Sequence, residues 1–263
     1  MSEQKIKISG NRILLVGATG VLGRVYARAL SKIDNLKLII ADTDHTDVLT
    51  YAQELGVLGA EVDVASETSV INCLKYVESQ FGGLDSVINN AAATGEGLMN
   101  SGEVFKNFEE YPLAVWKKTI DINLTGTFLV AREAGRLINE TSVHGSLINV
   151  SSIYGVVGPD HRIYEGQAFK SFPGYSASKS GVIGLTKWLA TWWGGNIRVN
   201  CVTPGGVLNH HNEKFVKSYS NRVPMGRMAN REELLGIILY LLSDSSSYVT
   251  GQNFIIDGGY TAW

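Results

Sequence analysis

The chain has 263 residues, 44% of them hydrophobic and 18% charged, the balance of a folded globular protein and not of a disordered one. Lys and Arg number 23 against 25 Asp and Glu, a formal net charge of −2, so no basic surface is advertised to nucleic acid or anionic lipid. Cys73 and Cys201 make neither a disulfide framework nor a metal-ligand cluster, no apolar run reaches bilayer length, and the N-terminus lacks the apolar core of a secretory signal, so a cytoplasmic protein without a metal is expected.

Residues 12–16, Arg-Ile-Leu-Leu-Val, read as a strand buried on both faces. Gly17-Ala-Thr-Gly20-Val-Leu-Gly23 follows, and then apolar residues at 22, 25, 26, 29, 30 and 33 keep a helical period over 21–33. Strand, glycine-rich turn and helix together are the setting in which such a turn binds a dinucleotide. Gly17 permits the tight turn, Gly20 lets the pyrophosphate approach the backbone, and Gly23 lets helix pack on strand. The phosphates then meet the positive N-terminus of the helix. Gly17, Thr19 and Gly20 of the turn, with Val21 and Leu22 at the helix start, are the expected cofactor contacts.

The second strand, 36–41, ends at Asp42, 19 residues beyond Gly23. An acid at that distance hydrogen-bonds the adenosine ribose and repels a 2′-phosphate, which favours NAD over NADP. Arg24, the one nearby cation, lies within the first helix. A third strand is expected to end in Glu61-Val-Asp63-Val64, followed by a helix over 69–81. The fourth, 86–90, runs into Ala91-Ala92-Ala93, small residues against which a flat ring or a ribose can lie. Residues 94–110 read as a polar surface loop, and a long amphipathic helix from about Pro112 to Leu137 carries Asn123 in its middle, a poor place for asparagine by propensity. A buried mid-helix amide usually has an assigned partner.

The fifth strand, 146–151, leads to Ser152, and the sixth, 197–202, to Pro204-Gly205-Gly206-Val207. Residues 208–230 read as a flap with short helices, 232–242 as the last helix and 253–256 as the last strand. Alternating strands and helices imply a doubly wound, mostly parallel sheet with helices on both faces, a Rossmann-type α/β fold. Without internal repeats or linkers, residues 1–263 are expected to form a single domain. Between the fifth and sixth strands stand Tyr175 and Lys179, four residues apart and therefore on one helix face. An ammonium beside a phenol stabilises the phenolate and brings its pKa down from about 10, into the range useful for proton transfer.

In these stretches the chain resembles the short-chain dehydrogenase/reductase family, in its compact single-domain branch. The resemblance runs through the glycine turn, Asp63-Val64, Asn89-Asn90-Ala91-Ala92, Asn123 within 121–126, Ser152, Tyr175-xxx-Lys179, Pro204-Gly205, Pro224-Met-Gly-Arg227 and Asp257-Gly-Gly259. It implies that Tyr175 is the general acid/base and that Ser152 orients the reacting oxygen. It implies that Lys179 lowers the Tyr175 pKa and holds the nicotinamide ribose, and that Asn123 anchors a water of a proton relay. Asp63 and Val64 are implied beside the adenine, Asn90 and Ala91 along the cofactor backbone path, and Val207, after Pro204 and Gly205, at the carboxamide.

Three features depart from that branch. The turn has GxxGxxG spacing and the fourth-strand motif ends in alanine. Ser152 and Tyr175 are 23 residues apart, more than is usual. Asn209 stands where a threonine usually helps hold the cofactor. The additional stretch, 158–170, offers His161, Arg162, Tyr164, Glu165 and Lys170. Cations bind carboxylates or phosphates and aromatic faces stack on sugars, so a polar, phosphorylated or nucleotide-linked carbohydrate is expected as substrate, with a solvated loop or a subunit contact as the other reading of 158–170. The helix after Tyr175 places Val182, Leu185, Leu189 and Trp193 toward a core and Trp188 and Trp192 on an adjacent stripe. Such a helix is buried on more than one side, and with the resemblance this implies a homodimer or homotetramer. An NAD-dependent oxidoreductase interconverting a secondary alcohol and a ketone is the leading expectation. A 3-oxoacyl thioester reductase, a dehydratase or epimerase using bound NAD transiently, and a non-catalytic nucleotide-binding protein are the alternatives.

Overall fold

The computed structural model describes residues 8–94, 98, 107–165 and 170–263. Seven strands are β1 (Arg12–Val16), β2 (Lys37–Asp42), β3 (Leu58–Glu61), β4 (Ser86–Asn89), β5 (Gly145–Val150), β6 (Ile197–Pro204) and β7 (Asn253–Ile256). They form one sheet in the order β3-β2-β1-β4-β5-β6-β7, and every pairing is parallel. Because successive side chains of a strand point to opposite faces, β1 feeds two cores. Leu14 and Val16 join residues of α3 (Glu67–Phe81), α5 (Gly126–Thr141) and α6 (Pro173–Trp193). Ile13 and Leu15 join α1 (Val21–Leu30), α2 (His45–Leu55) and α8 (Leu235–Leu242). Burying each such side chain contributes about 1.5–3 kcal/mol, which explains the unbroken apolar run Ile13–Val16 of β1.

Local signals set the ends of the elements. Asp44 and Ser66 cap α2 and α3 by accepting the Asp47 and Ser69 amides, and Gly56 and Gly82 close those helices in the left-handed region. Several boundaries differ from the sequence expectation. Helix α1 stops at Leu30 rather than 33, and Asn35, at φ 61°, turns the chain into β2. Strand β3 ends at Glu61 rather than Val64, because Asp63 accepts the Ala65 amide and its own N–H goes to Ser69 Oγ. The last helix opens with a 3₁₀ turn over Arg231–Leu234. The loop expected over 94–110 lies partly outside the described residues, at 95–97 and 99–106.

The long helix expected from Pro112 is interrupted. It runs as α4 (Leu113–Ile120), one π turn over Asp121–Thr125, and then α5. A π turn is usually found where a side chain needs re-aiming, and here its buried residue is Asn123. Among the described residues no helix is long and apolar enough to cross a membrane.

At the amino ends of the central strands, opposite the strand ends that face the cavity described below, Asp85 ties three elements together. Its carboxylate accepts the amides of Asn11 and Arg12 and both Nε and Nη2 of Arg12, while Arg12 Nη2 also donates to the Thr141 carbonyl at the end of α5. Burial raises the Asp85 pKa, but Arg12 and the two amides outweigh it and hold the carboxyl below its ordinary value. Its stabilisation is therefore complete above the unfolded carboxylate pKa of about 4 and is lost as pH falls through the lower folded value. Asp85→Asn is expected to cost about 2–4 kcal/mol in urea unfolding at neutral pH, and to flatten the acid side of the stability profile relative to the parent protein.

Candidate active site

Strands β1 and β4 are neighbours, but the chain leaves them toward opposite ends of the sheet order. Their carboxyl ends therefore part and leave a crevice, the place where open parallel sheets bind ligands. A cavity of about 780 Å³ opens there. Gly17, leaving β1, has φ +79°, and a Cβ on it would stand 2.5 Å from the Ala91 nitrogen. A Cβ on Gly23 would stand 2.1 Å from the Gly17 carbonyl oxygen, so turn and helix are in direct backbone contact. Gly20 differs: its Cβ would meet only the Gly17 oxygen at 3.7 Å. It opens α1 as an N-cap without a side-chain capping bond. Open space before an uncapped helix N-terminus suits a pyrophosphate, and on this observation the residues present fit a dinucleotide.

Thr19, Val21, Leu22, Asp63, Val64, Asn90, Ala91, Pro204, Gly205 and Val207 line the same cavity with Gly17, Gly20 and Asp42. Asp42 Oδ2 accepts the Thr19 amide and hydroxyl at 2.8 and 2.9 Å, and Oδ1 accepts the Thr43 amide. The carboxylate thus braces the glycine turn while facing the cavity. Arg24 turns away from it, with Nε on the Thr19 carbonyl and Nη2 on both oxygens of Asp47. Asn90 supports the turn from β4, donating its side-chain amide to the Gly17 carbonyl.

At the other end of the cavity stand Ser152, Tyr175 and Lys179. Lys179 Nζ donates to the Val150 carbonyl at 2.8 Å. Ser151 Oγ donates to the Lys179 carbonyl, and Ser180 Oγ to that of Gly155. A Cβ on Gly155 would come within 2.7 Å of the Lys179 carbonyl carbon, so this glycine lets the turn after Ser152 lie directly on α6. Lys179 Nζ is 5.8 Å from the centroid of the Tyr175 ring. Burial lowers the Lys179 pKa to about 8. For Tyr175 burial is also the larger influence and raises its pKa, with the Ser152 hydroxyl opposing. The lowering of Tyr175 expected from Lys179 does not set the direction here: burial raises the phenol, and the opposing influence comes from Ser152.

Asn123 does not line the cavity; its neighbour Ile122 does. Its side chain is fully buried, with Oδ1 accepting the Ala93 amide at 2.6 Å and Nδ2 donating to the Ala93 carbonyl and to Ser178 Oγ. Its own carbonyl accepts the Thr127 hydroxyl. Asn123 thus joins the loop after β4 to α6 beside the Tyr175–Lys179 pair. Among the described residues there is no group of three or more His, Cys, Asp or Glu able to hold a metal.

The 158–170 stretch contributes differently from its reading as a cluster of ligands. Residues 166–169 lie outside the described ones. Arg162 is 81% exposed and bound to Asp160 by Nε and Nη2, and it does not line the cavity; nor do His161, Glu165 and Lys170. Asp160 is the local cause, because its carboxylate also caps the turn by accepting the Arg162 amide and stands 3.4 Å from Arg222. Among the described residues of this stretch that were expected as ligands, Tyr164 reaches the cavity, beside Tyr154, Ser171 and Phe172. The flap supplies Asn209, His210, His211, Asn212, Phe215 and Tyr219. Sequence reasoning named Asn209 and Tyr164 but missed the rest of the aromatic wall, Tyr154, Phe215 and Tyr219. Its one visible signal was the density of Tyr, Phe and His in 154–172 and 210–219.

The family model described as enoyl-(acyl carrier protein) reductase matches residues 17–261. The chain is 33% identical to trans-4-hydroxycyclohexanecarboxylate dehydrogenase of Sinomonas cyclohexanicum, over 100% of this chain and 97% of that one. It is 31% identical to D-arabinitol 2-dehydrogenase (ribulose-forming) of Candida tropicalis, over 98% and 94%. A short-chain dehydrogenase from Leptospira borgpetersenii with bound NAD⁺ superposes with a TM-score of 0.84 at 30% identity, covering 97% of this chain and 94% of that chain.

The buried ammonium has a measurable consequence. Lys179 falls to about 8 in the folded chain, against about 10.4 unfolded. Between those values the unfolded state binds the additional proton, so stability rises with pH across the window. Urea midpoints of the cofactor-free protein, measured from about pH 8 to about pH 10, are expected to show a rise that Lys179→Met abolishes.

Proposed function

The chain belongs to the short-chain dehydrogenase/reductase family and is an NAD(P)-dependent oxidoreductase, and from that premise we propose that it interconverts a secondary alcohol and its ketone with NAD, Tyr175 serving as general acid and base. The observation that carries this reading is the presence of Ser152, Tyr175 and Lys179 on the wall of a cavity that also takes in the glycine turn and Asp42. The bound nicotinamide supplies the hydride chemistry; the chain supplies position and the proton. Ser152 and Tyr175 bracket the reacting oxygen, Ser152 orienting it and Tyr175 giving or accepting its proton. Lys179 holds the nicotinamide ribose, and its charge counters the desolvation that keeps the phenol protonated. Asn123 acts as a positioning residue, holding Ala93 and Ser178 in place.

Asp42 supports NAD: its charge faces the adenosine end of the cavity and Arg24, the nearest cation, is committed to Asp47. The NAD⁺-bound structure of a relative supports the same choice. A polar carbohydrate or sugar derivative as substrate is supported by the aromatic and polar lining beyond Ser152 and by likeness to an arabinitol dehydrogenase. Reduction of a 3-oxoacyl thioester is the second reading, supported by 30% identity to a 3-oxoacyl-(acyl-carrier-protein) reductase of Aquifex aeolicus over 97% of this chain. On this reading residues 1–263 work as one unit. The stacked, exposed Trp188 and Trp192 (56% and 69%) on α6 support a homodimer or homotetramer.

Tyr175→Phe is expected to lower kcat by about 10²–10⁴-fold while leaving NAD affinity, read by fluorescence titration, unchanged. Asp42→Ser is expected to move the ratio of kcat/KM for NADP⁺ over NAD⁺ upward by about tenfold or more, because a like-charge repulsion is removed; steady-state rates with both coenzymes measure it.

A further inference from the structure

The substrate end of the cavity is roofed by a hydrophobic cluster separate from the two sheet cores. Ile163 and Tyr164 from the 158–170 stretch pack there with Phe215 and Tyr219 of α7 (Glu213–Ser220) and with Tyr260 near the C-terminus. Tyr164 and Phe215 rings lie 5.4 Å apart, and His211 stacks on Phe215 at 5.1 Å and 17°. Along this wall the Tyr154 and Tyr164 hydroxyls are hydrogen-bonded at 3.0 Å, and Ser171 extends the chain from Tyr164. All three of these residues line the cavity.

Charge is distributed the other way. Of the Asp, Glu, Lys and Arg side chains among the described residues lining the cavity, Asp42 and Asp63 belong to the adenosine end and Lys179 stands under the reacting centre. The guanidiniums nearby do not line the cavity and have partners of their own: Arg162 pairs with Asp160, Arg222 with Asp160 and the face of the Tyr260 ring, Arg227 with Glu233, and Arg231 with Asn209 Oδ1. His211 Nδ1 accepts the Asn209 amide at 3.2 Å, a bond that only the neutral ring can make. Burial holds Tyr164 near 12 and Tyr154 higher, so both phenols stay neutral. An anionic substituent here would lose its water without gaining a counter-charge.

Resting on the oxidoreductase reading above, we propose that the substrate is an uncharged, ring-bearing polyol, its ring on the Phe215 wall and a second hydroxyl on the Tyr154–Tyr164–Ser171 chain. Tyr164 is then a specificity-determining residue. A hydroxyl chain suits such a ligand because each member donates or accepts by rotating one bond. An aromatic face accepts the C–H face of a ring without asking for charge. This replaces the expectation of a phosphorylated or nucleotide-linked sugar, which relied on Arg162 and Lys170 reaching the site.

The test is calorimetric binding to the enzyme saturated with NADH, so that an alcohol probe binds without reacting. The probes are neutral hexopyranoses and cyclitols, each beside its uronic acid or monophosphate, compared at one fixed, mildly alkaline pH. The neutral member of a pair is expected to bind about tenfold or more tightly than its charged counterpart. Tyr164→Phe is expected to weaken the neutral probe about three- to tenfold while NADH affinity holds, the loss in turnover appearing more in KM than in kcat. Equal or tighter binding of the charged probes, or neutral binding unchanged in Tyr164→Phe, overturns the proposal. Neutral probes that bind with these preferences but are never oxidised by NAD⁺ overturn the proposed alcohol–ketone reaction and leave the neutral ring-and-hydroxyl binding site standing. Oxidation confined to acyclic or anionic alcohols does the reverse.

Discussion

A lysine ammonium buried at the carboxyl end of β5 sets the terms for the site. Lys179 needs a strong acceptor once it leaves water, and the Val150 carbonyl provides it at 2.8 Å. That bond draws α6 onto the strand end, where Ser151 grips the Lys179 carbonyl and Gly155 lies against the same backbone. Ser152 stands between these two anchors and Tyr175 one turn of α6 earlier. Their mutual placement follows from a charge that could be buried in few other ways. The arrangement costs stability, as the depressed Lys179 pKa attests, which is common where a site is built for chemistry.

Two kinds of structure meet over the cavity. The cofactor end is made from sheet edge and helix N-terminus, with Asp42, Thr19 and Asn90 bracing the glycine turn by bonds that reach back to β2 and β4. Its shape comes with the fold. The substrate end is made from segments outside the sheet: the stretch after Ser152, α7 and the C-terminal residues, held by their own aromatic cluster and by Asp160 between Arg162 and Arg222. Such segments can change without disturbing the sheet. Differences in substrate among proteins of this architecture belong there.

Asn123 shows how far propensity reasoning goes. A mid-helix asparagine violates the local preference, and such a violation marks a site where another demand prevails. The helix adds a π turn at Asp121–Thr125, and the amide satisfies both backbone groups of Ala93 together with Ser178. That the residue had a partner could be inferred from its place in the pattern. Which partner, and that the helix would widen to reach it, depended on a loop and a helix distant in the chain.

Sequence alone determined the parallel α/β sheet, because strands buried on both faces need unbroken apolar runs and the helices between them need a 3.6-residue period. It also determined the glycine turn at 17–23 and the single helix face shared by Tyr175 and Lys179, since both rest on spacing within one element. Tertiary structure decided what depends on groups brought from far apart. Arg162 reads as a ligand from spacing alone, but Asp160 holds it outside the cavity, and Tyr164 is a wall residue only by packing on Phe215, 51 positions later. Even the Tyr175 phenol, whose neighbour was legible, has its acidity governed by burial. Desolvation is a property of everything packed around a group, and no local spacing encodes it.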